Sequence, residues 1–173
     1  MVGKRAAVSD LHVVPTVKCL RLACHAMGTR FEALVYGQRE EALRAATEEA
    51  FEEIKSIEAR ISVYRPESLV SKVNQRAARE WVLLDAVTFR LIEQAKYYHS
   101  LSGGLFDPTI GPLLCCWGLR NGAGRVPSPS EIEEAKRTVG FGLVELNRGN
   151  QALRFLRTGM ELDFGAIGKG FAP

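Results

Sequence analysis

The stretch from Val17 to Ile61, VKCLRLACHAMGTRFEALVYGQREEALRAATEEAFEEIKSIEARI, sets the organisation of the chain. Val17 to Cys24 reads as a strand, and Arg30 to Tyr36, rich in aromatic and aliphatic groups, reads as a second. The turn Ala26-Met27-Gly28-Thr29 lies between them and Gly37 ends the second, so the two form an antiparallel pair. From Glu40 to about Ile61 the period changes. Leu43, Ala46, Ala50, Ile54, Ile57 and Ile61 recur at three- and four-residue steps, which predicts a helix with one apolar face. Glu48, Glu49, Glu52, Glu53 and Lys55 fill the opposite, solvated face.

Residues 1–16, on the N-terminal side, are mixed in character and read as a flexible lead-in to a unit spanning 17–173. Towards the C-terminus, residues 62–80 carry Ser, Pro and Asn without clear period and read mainly as loop. A second helix is predicted from about Ala86 to Leu101, with Asp85 as N-cap and Gly103-Gly104 as the stop. Glycines then surround an apolar run, Ile110 to Leu119. Ser128-Pro129-Ser130-Glu131 has the form of a capping box with Pro at the first helical position, and Gly140 closes the helix it opens. Leu143 to Leu146 and Ala152 to Leu156 read as strands around the hairpin turn Asn147-Arg148-Gly149-Asn150. A last strand, Met160 to Phe164, runs into Gly165-Ala166-Ile167-Gly168-Lys169-Gly170.

Composition narrows the function classes. The chain has 173 residues, 46% hydrophobic and 25% charged, as globular proteins do. A net charge of +3, with basic residues dispersed, does not point to nucleic acid. No run approaches the roughly 18–20 apolar residues of a spanning helix. The start, Met1 to His12, lacks the continuous apolar segment of a secretory signal. Cys19, Cys24, Cys115 and Cys116 make no C-x-x-C pair and read as buried, reduced thiols. His12, His25 and His99 have no catalytic context, and Trp81 and Trp117 read as core.

Four motifs remain. In the C-terminal turn, glycines would let backbone N–H groups approach an anion beside Lys169, although a tight connection has the same composition. It is not a Walker A loop, because Asp163 stands where the first Gly should and Gly170 follows Lys169. In Gly103 to Leu113, Asp107 reads either as a ligand acceptor or as an Asx turn ahead of Pro108. Met27-Gly28-Thr29 fits a Met packed on a flat ring, or simply a hairpin turn. Ser62-Val63-Tyr64-Arg65-Pro66-Glu67-Ser68 offers an aromatic face and hydroxyls in a loop, or a tyrosine covering a core edge.

Taken in order, these motifs, with Asn74 and Trp117-Gly118, resemble the ApbE family of FAD:protein FMN transferases from about residue 20 onward. The resemblance implies an α+β fold related to the T-fold group, an antiparallel or mixed sheet with packed helices and a cleft for FAD. It implies a reaction that cleaves the FAD pyrophosphate, moves FMN onto a Thr hydroxyl of a target flavoprotein and releases AMP, assisted by Mg²⁺. By matching positions, it implies FAD contacts at Met27, Tyr64, Leu105, Phe106, Asp107, Asp163 and Lys169, and a metal-directed backbone carbonyl at Ala166.

The family pattern has a further half beyond the glycine-rich turn, with the acidic and Thr side chains of the metal site. This chain therefore reads as the N-terminal half of the domain, truncated. Two alternatives would use the same pocket: one activity, FAD pyrophosphatase, giving FMN and AMP, and one non-catalytic reading, a catalytically dead FAD-binding fragment lacking the half that carries the metal site. Unpaired strand edges lead to an expectation of self-association.

Overall fold

A computed structural model describes residues 17–120 and 122–172; the expectation for residues 1–16 lies outside the described residues. The strand pair forms as the alternation predicts. β1 (Lys18–Ala26) pairs antiparallel with β2 (Thr29–Gly37), in register from Lys18 opposite Gly37 to Ala26 opposite Thr29. The connection is the two residues Met27 and Gly28, with φ of 52° and 68°. Positive φ at both positions is the type I′ geometry whose twist matches the strands it joins. Leu20, Leu22 and Cys24, opposite Val35, Ala33 and Phe31, make the half-buried face of this ribbon.

Helix α1 (Glu40–Ile61) lies against the ribbon. Its buried stripe is Thr47, Phe51, Ile54, Ile57 and Ile61, whereas Ala46 and Ala50 are exposed. Ile54, Ile57 and Ile61 are in the stripe as predicted, whereas its N-terminal half is shifted by one residue, from Ala46 and Ala50 to Thr47 and Phe51. Facing Phe51 inward removes far more apolar surface from water than facing Ala50 inward.

Residues 62–80 are not mainly loop. They contain α2 (Leu69–Arg76), whose N-cap Ser68 accepts from the backbone N–H of Ser71 at 2.9 Å. Val70, Val73 and Ala77 are fully buried at helical spacing. The short strand β3 (Val82–Leu83) leads to α3 (Ala86–Leu101), capped by Asp85 onto the Thr88 N–H at 2.8 Å as predicted. The apolar run yields α4 (Gly111–Cys116).

The predicted capping box is present on α5 (Pro129–Lys136), which ends before Gly140 and is followed by a single 3-10 turn at Phe141–Leu143. β4 (Val144–Asn147) and β5 (Ala152–Phe155) pair antiparallel, and β3 joins β5 on its other side, giving the order β3-β5-β4. The last element, α6 (Gly168–Phe171), is one turn long.

Met160 to Phe164 is not a strand. Apart from one parallel bridge between Ile110 and Glu161, side chains and single backbone contacts hold it. The Asn74 amide pairs both backbone groups of Leu162. Its Oδ1 accepts the Leu162 N–H at 2.8 Å and its Nδ2 donates to the Leu162 carbonyl at 3.0 Å. The Asp163 N–H donates to the Pro108 carbonyl at 2.8 Å. Met160, Leu162 and Phe164 fill the core with Ile54, Ile57, Val73, Leu91 and Leu153.

Two further expectations are overturned. All four cysteines are free, but Cys19 and Cys115 are exposed and the other two half-buried. Trp81 and Trp117 are 41% and 37% exposed rather than core, with the Arg154 guanidinium 5.0 Å over the Trp81 ring. An indole ring with a polar N–H edge tolerates such half-exposed positions.

Candidate functional site

A cleft of about 350 Å³ opens where three segments meet: the β1–β2 turn, the end of α1 with the loop after it, and the glycine-rich C-terminal turn. Met27 and Gly28, Glu58 with Ile61 to Tyr64, and Asp163 to Gly165 with Gly168 and Lys169 supply its walls. Glu58 ties the first two segments together. Its Oε1 accepts the Met27 N–H at 2.7 Å, and its Oε2 lies 3.6 Å from the Arg65 guanidinium. α1 stops at Ser62, which turns to an extended conformation and leaves Tyr64 70% exposed at the cleft.

Gly168 sets the distance between α1 and the C-terminal turn. A Cβ there would lie 2.8 Å from Ile61 Cδ1 inside the core. Asp163 is held at both oxygens. Oδ1 accepts the Gly165 N–H at 2.8 Å and Oδ2 accepts from Arg120 Nη2 at 3.2 Å. Arg120 also pairs with Glu161. Burial alone would lower the pKa of Arg120; Glu161, Cys115 and Asp163 more than offset this, so the net direction is upward. Burial is also the first cause of a raised Cys115 thiol pKa.

Lys169 is different. Its Nζ donates to the Gly165 carbonyl at 3.3 Å, its side chain is exposed, and it pairs with no carboxylate among the described residues. Its ammonium is therefore available to an anion in the cleft. Of the backbone amides in the turn, those of Ala166 and Lys169 have no acceptor among the described residues, whereas the others are taken, as in the tight-connection alternative. Gly165 N–H is taken by Asp163, Ile167 and Gly168 donate to the Phe164 carbonyl, and Gly170 donates to that of Ile167. The glycines let the chain coil into consecutive turns that satisfy these donors internally.

Behind the same turn lies a second hollow of about 360 Å³, lined by Tyr98, Leu101, Ser102, Phe106, Ala166 and Ile167. The glycine-rich turn is the wall between the two. Met27, Tyr64, Asp163 and Lys169 therefore share the first cleft, while Phe106 and Ala166 share the second. Leu105 is 94% exposed and lines neither.

Asp107 is internal to the loop. Its Oδ1 accepts from the Thr109 N–H at 2.8 Å, an Asx turn, and from the Thr109 hydroxyl at 2.6 Å. Its Oδ2 accepts the Phe141 N–H at 3.1 Å and lies 3.4 Å from His99 Nδ1. His99 Nδ1 donates to the Phe106 carbonyl at 2.9 Å, because a carbonyl oxygen can only accept.

Among the described residues no group of three or more His, Cys, Asp or Glu side chains could hold a metal ion. One carbonyl at Ala166 is far from the near-octahedral oxygen set Mg²⁺ requires. These residues do not by themselves fit that ion.

The reading of the sequence missed Glu58 and Arg120. Glu58 adjoins the apolar stripe at Ile57, a boundary position that hinted at a partly buried acid. Arg120 left no local signal, since its partners Glu161 and Asp163 come from a segment far along the chain.

Ribbon, helices and a second antiparallel sheet, with a small-ligand cleft at the mouth of the hairpin, define an α+β binding or catalytic domain. The chain matches the ApbE family model over residues 27–173, and it belongs to that family. A FAD:protein FMN transferase from Treponema pallidum is 32% identical over 151 residues, covering 84% of this chain and 42% of the relative. One from Klebsiella pneumoniae is 32% identical over 127 residues, covering 73% and 40%. The ApbE protein from Thermotoga maritima superposes with a TM-score of 0.81 at 34% identity, over 90% of this chain and 50% of that one. The flavin transferase ApbE from Vibrio cholerae, at 24% identity and a TM-score of 0.78, supports the fold. The chain spans about half the length of the curated relatives it matches.

Proposed function

We propose that the cleft binds FAD, and that the protein takes part in moving FMN from FAD to a Thr hydroxyl of a target flavoprotein. In that reaction an O–P bond forms between the Thr oxygen and the FMN phosphorus. The pyrophosphate bridge breaks, and AMP leaves with the bridging oxygen. The single observation that carries the reading is the convergence of Met27, Tyr64, Asp163 and Lys169 on one cleft from distant parts of the chain.

The chemistry of the walls fits the parts of the dinucleotide. Lys169, which pairs with no carboxylate among the described residues, brings its ammonium to the pyrophosphate. Met27 and Tyr64 offer a polarizable thioether and an open aromatic face to the flavin ring. Asp163, anchored from behind, accepts hydrogen bonds from ligand N–H or O–H groups. Phe106 and Ala166 line the hollow beyond the turn, and Leu105 and Asp107 act through the loop that carries Phe106. Mg²⁺ would need its ligands mainly from outside the described residues.

Calorimetric titration with FAD tests the reading. The wild-type chain should bind, and Lys169→Ala should weaken binding about tenfold, the loss of one charge-assisted contact, ~1.4 kcal/mol. An unchanged affinity in Lys169→Ala would remove Lys169 from the site; no binding by wild type would end the proposal. Product analysis with and without acceptor protein separates transferase from FAD pyrophosphatase.

A further inference from the structure

We propose that Arg120 is the positioning residue of this cleft, holding the Asp163 carboxylate aimed at the bound ligand. The inference rests on the FAD-binding reading above.

Asp163 follows an extended segment that no sheet holds, so its direction is set by individual contacts. The backbone is fixed by Pro108 at Asp163 and by Asn74 at Leu162. The side chain is fixed by the Gly165 N–H on one oxygen and Arg120 on the other. Arg120 is itself held by contacts at both terminal nitrogens. Glu161 pairs with its other terminal nitrogen, and Gly111 packs so closely that a Cβ there would lie 2.8 Å from Nη2. Both Arg120 and Asp163 side chains are 12% exposed. Removing one partner of a pair so far out of water has a large effect, because the other charge is left uncompensated.

The other charged and titratable groups around Asp163 do not take this role. Glu58 and Tyr64 stand across the cleft, Lys169 bonds to a carbonyl, and Cys115 and Glu161 lie behind Arg120. Arg120 is thus the one fixed cation at Asp163 among the described residues. A carboxylate locked from behind keeps its remaining lone pairs directed forward, where FAD presents hydroxyl and N–H donors.

The test is a double-mutant cycle read by FAD calorimetry on the full chain, with Arg120→Met, Arg120→Lys, Asp163→Asn and the combined variants. Arg120→Met and Asp163→Asn should each weaken binding about tenfold or more. Because both remove the same aimed group, the double variant should be no weaker than the worse single. Arg120→Lys, which keeps the charge, should recover most of the affinity. Losses that multiply in the double variant, or a Lys variant as weak as Met, would overturn the inference. If Arg120→Met melts before it can be measured, Arg120→Gln, which keeps a hydrogen-bond donor but not the charge, replaces it alone and in the Asp163→Asn background. No added loss there supports the coupling, and a further loss sinks it. Wild-type chain without FAD affinity overturns both this inference and the reading beneath it; wild-type binding with independent losses overturns this one alone.

Discussion

Asn74 does the work that a neighbouring strand would do for Leu162, satisfying a buried N–H and a buried C=O with one amide. Asn74→Ala leaves both without a partner, each costing about 1–3 kcal/mol. Urea unfolding should show a loss of that order; a change under about 0.5 kcal/mol would mean that water replaces the amide. Gly111 is a second position where one atom decides. A Cβ there would lie 2.6 Å from Glu161 Cβ and 2.7 Å from its carbonyl oxygen. Ala has the better helix propensity by about 1 kcal/mol. The clash is with backbone as well as side chain and wins. Gly111→Ala should destabilise by about 1–3 kcal/mol and, by shifting Arg120, weaken FAD binding in the same preparation.

Helix α5 shows what a cap contributes when a helix buries little. It has no fully buried residue, and its N-terminus is closed by Ser128 and Glu131. The Ser128 N–H, then Arg125 and the Ser128 hydroxyl, hold the Glu131 carboxyl down from its ordinary 4.5 to about 2. A carboxyl depressed in the folded state contributes stability above its unfolded value, and that contribution fades as pH falls from about 4.5 towards 2. Glu131→Gln should flatten the acid side of the melting-temperature profile across that window and leave its neutral part with the same slope. In α1, Phe51→Ala should cost about 3–5 kcal/mol in chemical denaturation, whereas a polar residue at exposed Ala50 should change stability by no more than about 0.5 kcal/mol. Capped helices and the hairpin were legible because their signals are local: Asp85, Ser128 and Met27-Gly28 act within three or four residues. α2 was obscured by polar residues beside its Val70, Val73 and Ala77 spacing. The false strand at Met160 to Phe164 had the right residue types, but its partners are an Asn side chain and a loop carbonyl. For the same reason the motif residues of the cleft were nameable in advance and Arg120 was not.

Among the described residues, β1 and β2 pair only with each other, so the outer edge of each carries unmatched N–H and C=O groups. Leu34 and Tyr36 are exposed on the outward face of the ribbon. Such edges recruit further strands. Sedimentation of the chain should therefore show species larger than one copy, and Leu34→Lys should shift the distribution towards the monomer; an ideal monomer at all concentrations would contradict this. The turn from Asp163 to Lys169 has a different reach. Gly165 and Gly168 face one hollow while Ala166 and Ile167 face the other, a partition a single backbone thick. A divider that thin has no interior to absorb a push. A guest settling on one side would press on a peptide plane that also faces the far side, and a redesign that moved the turn to enlarge one chamber would narrow its twin.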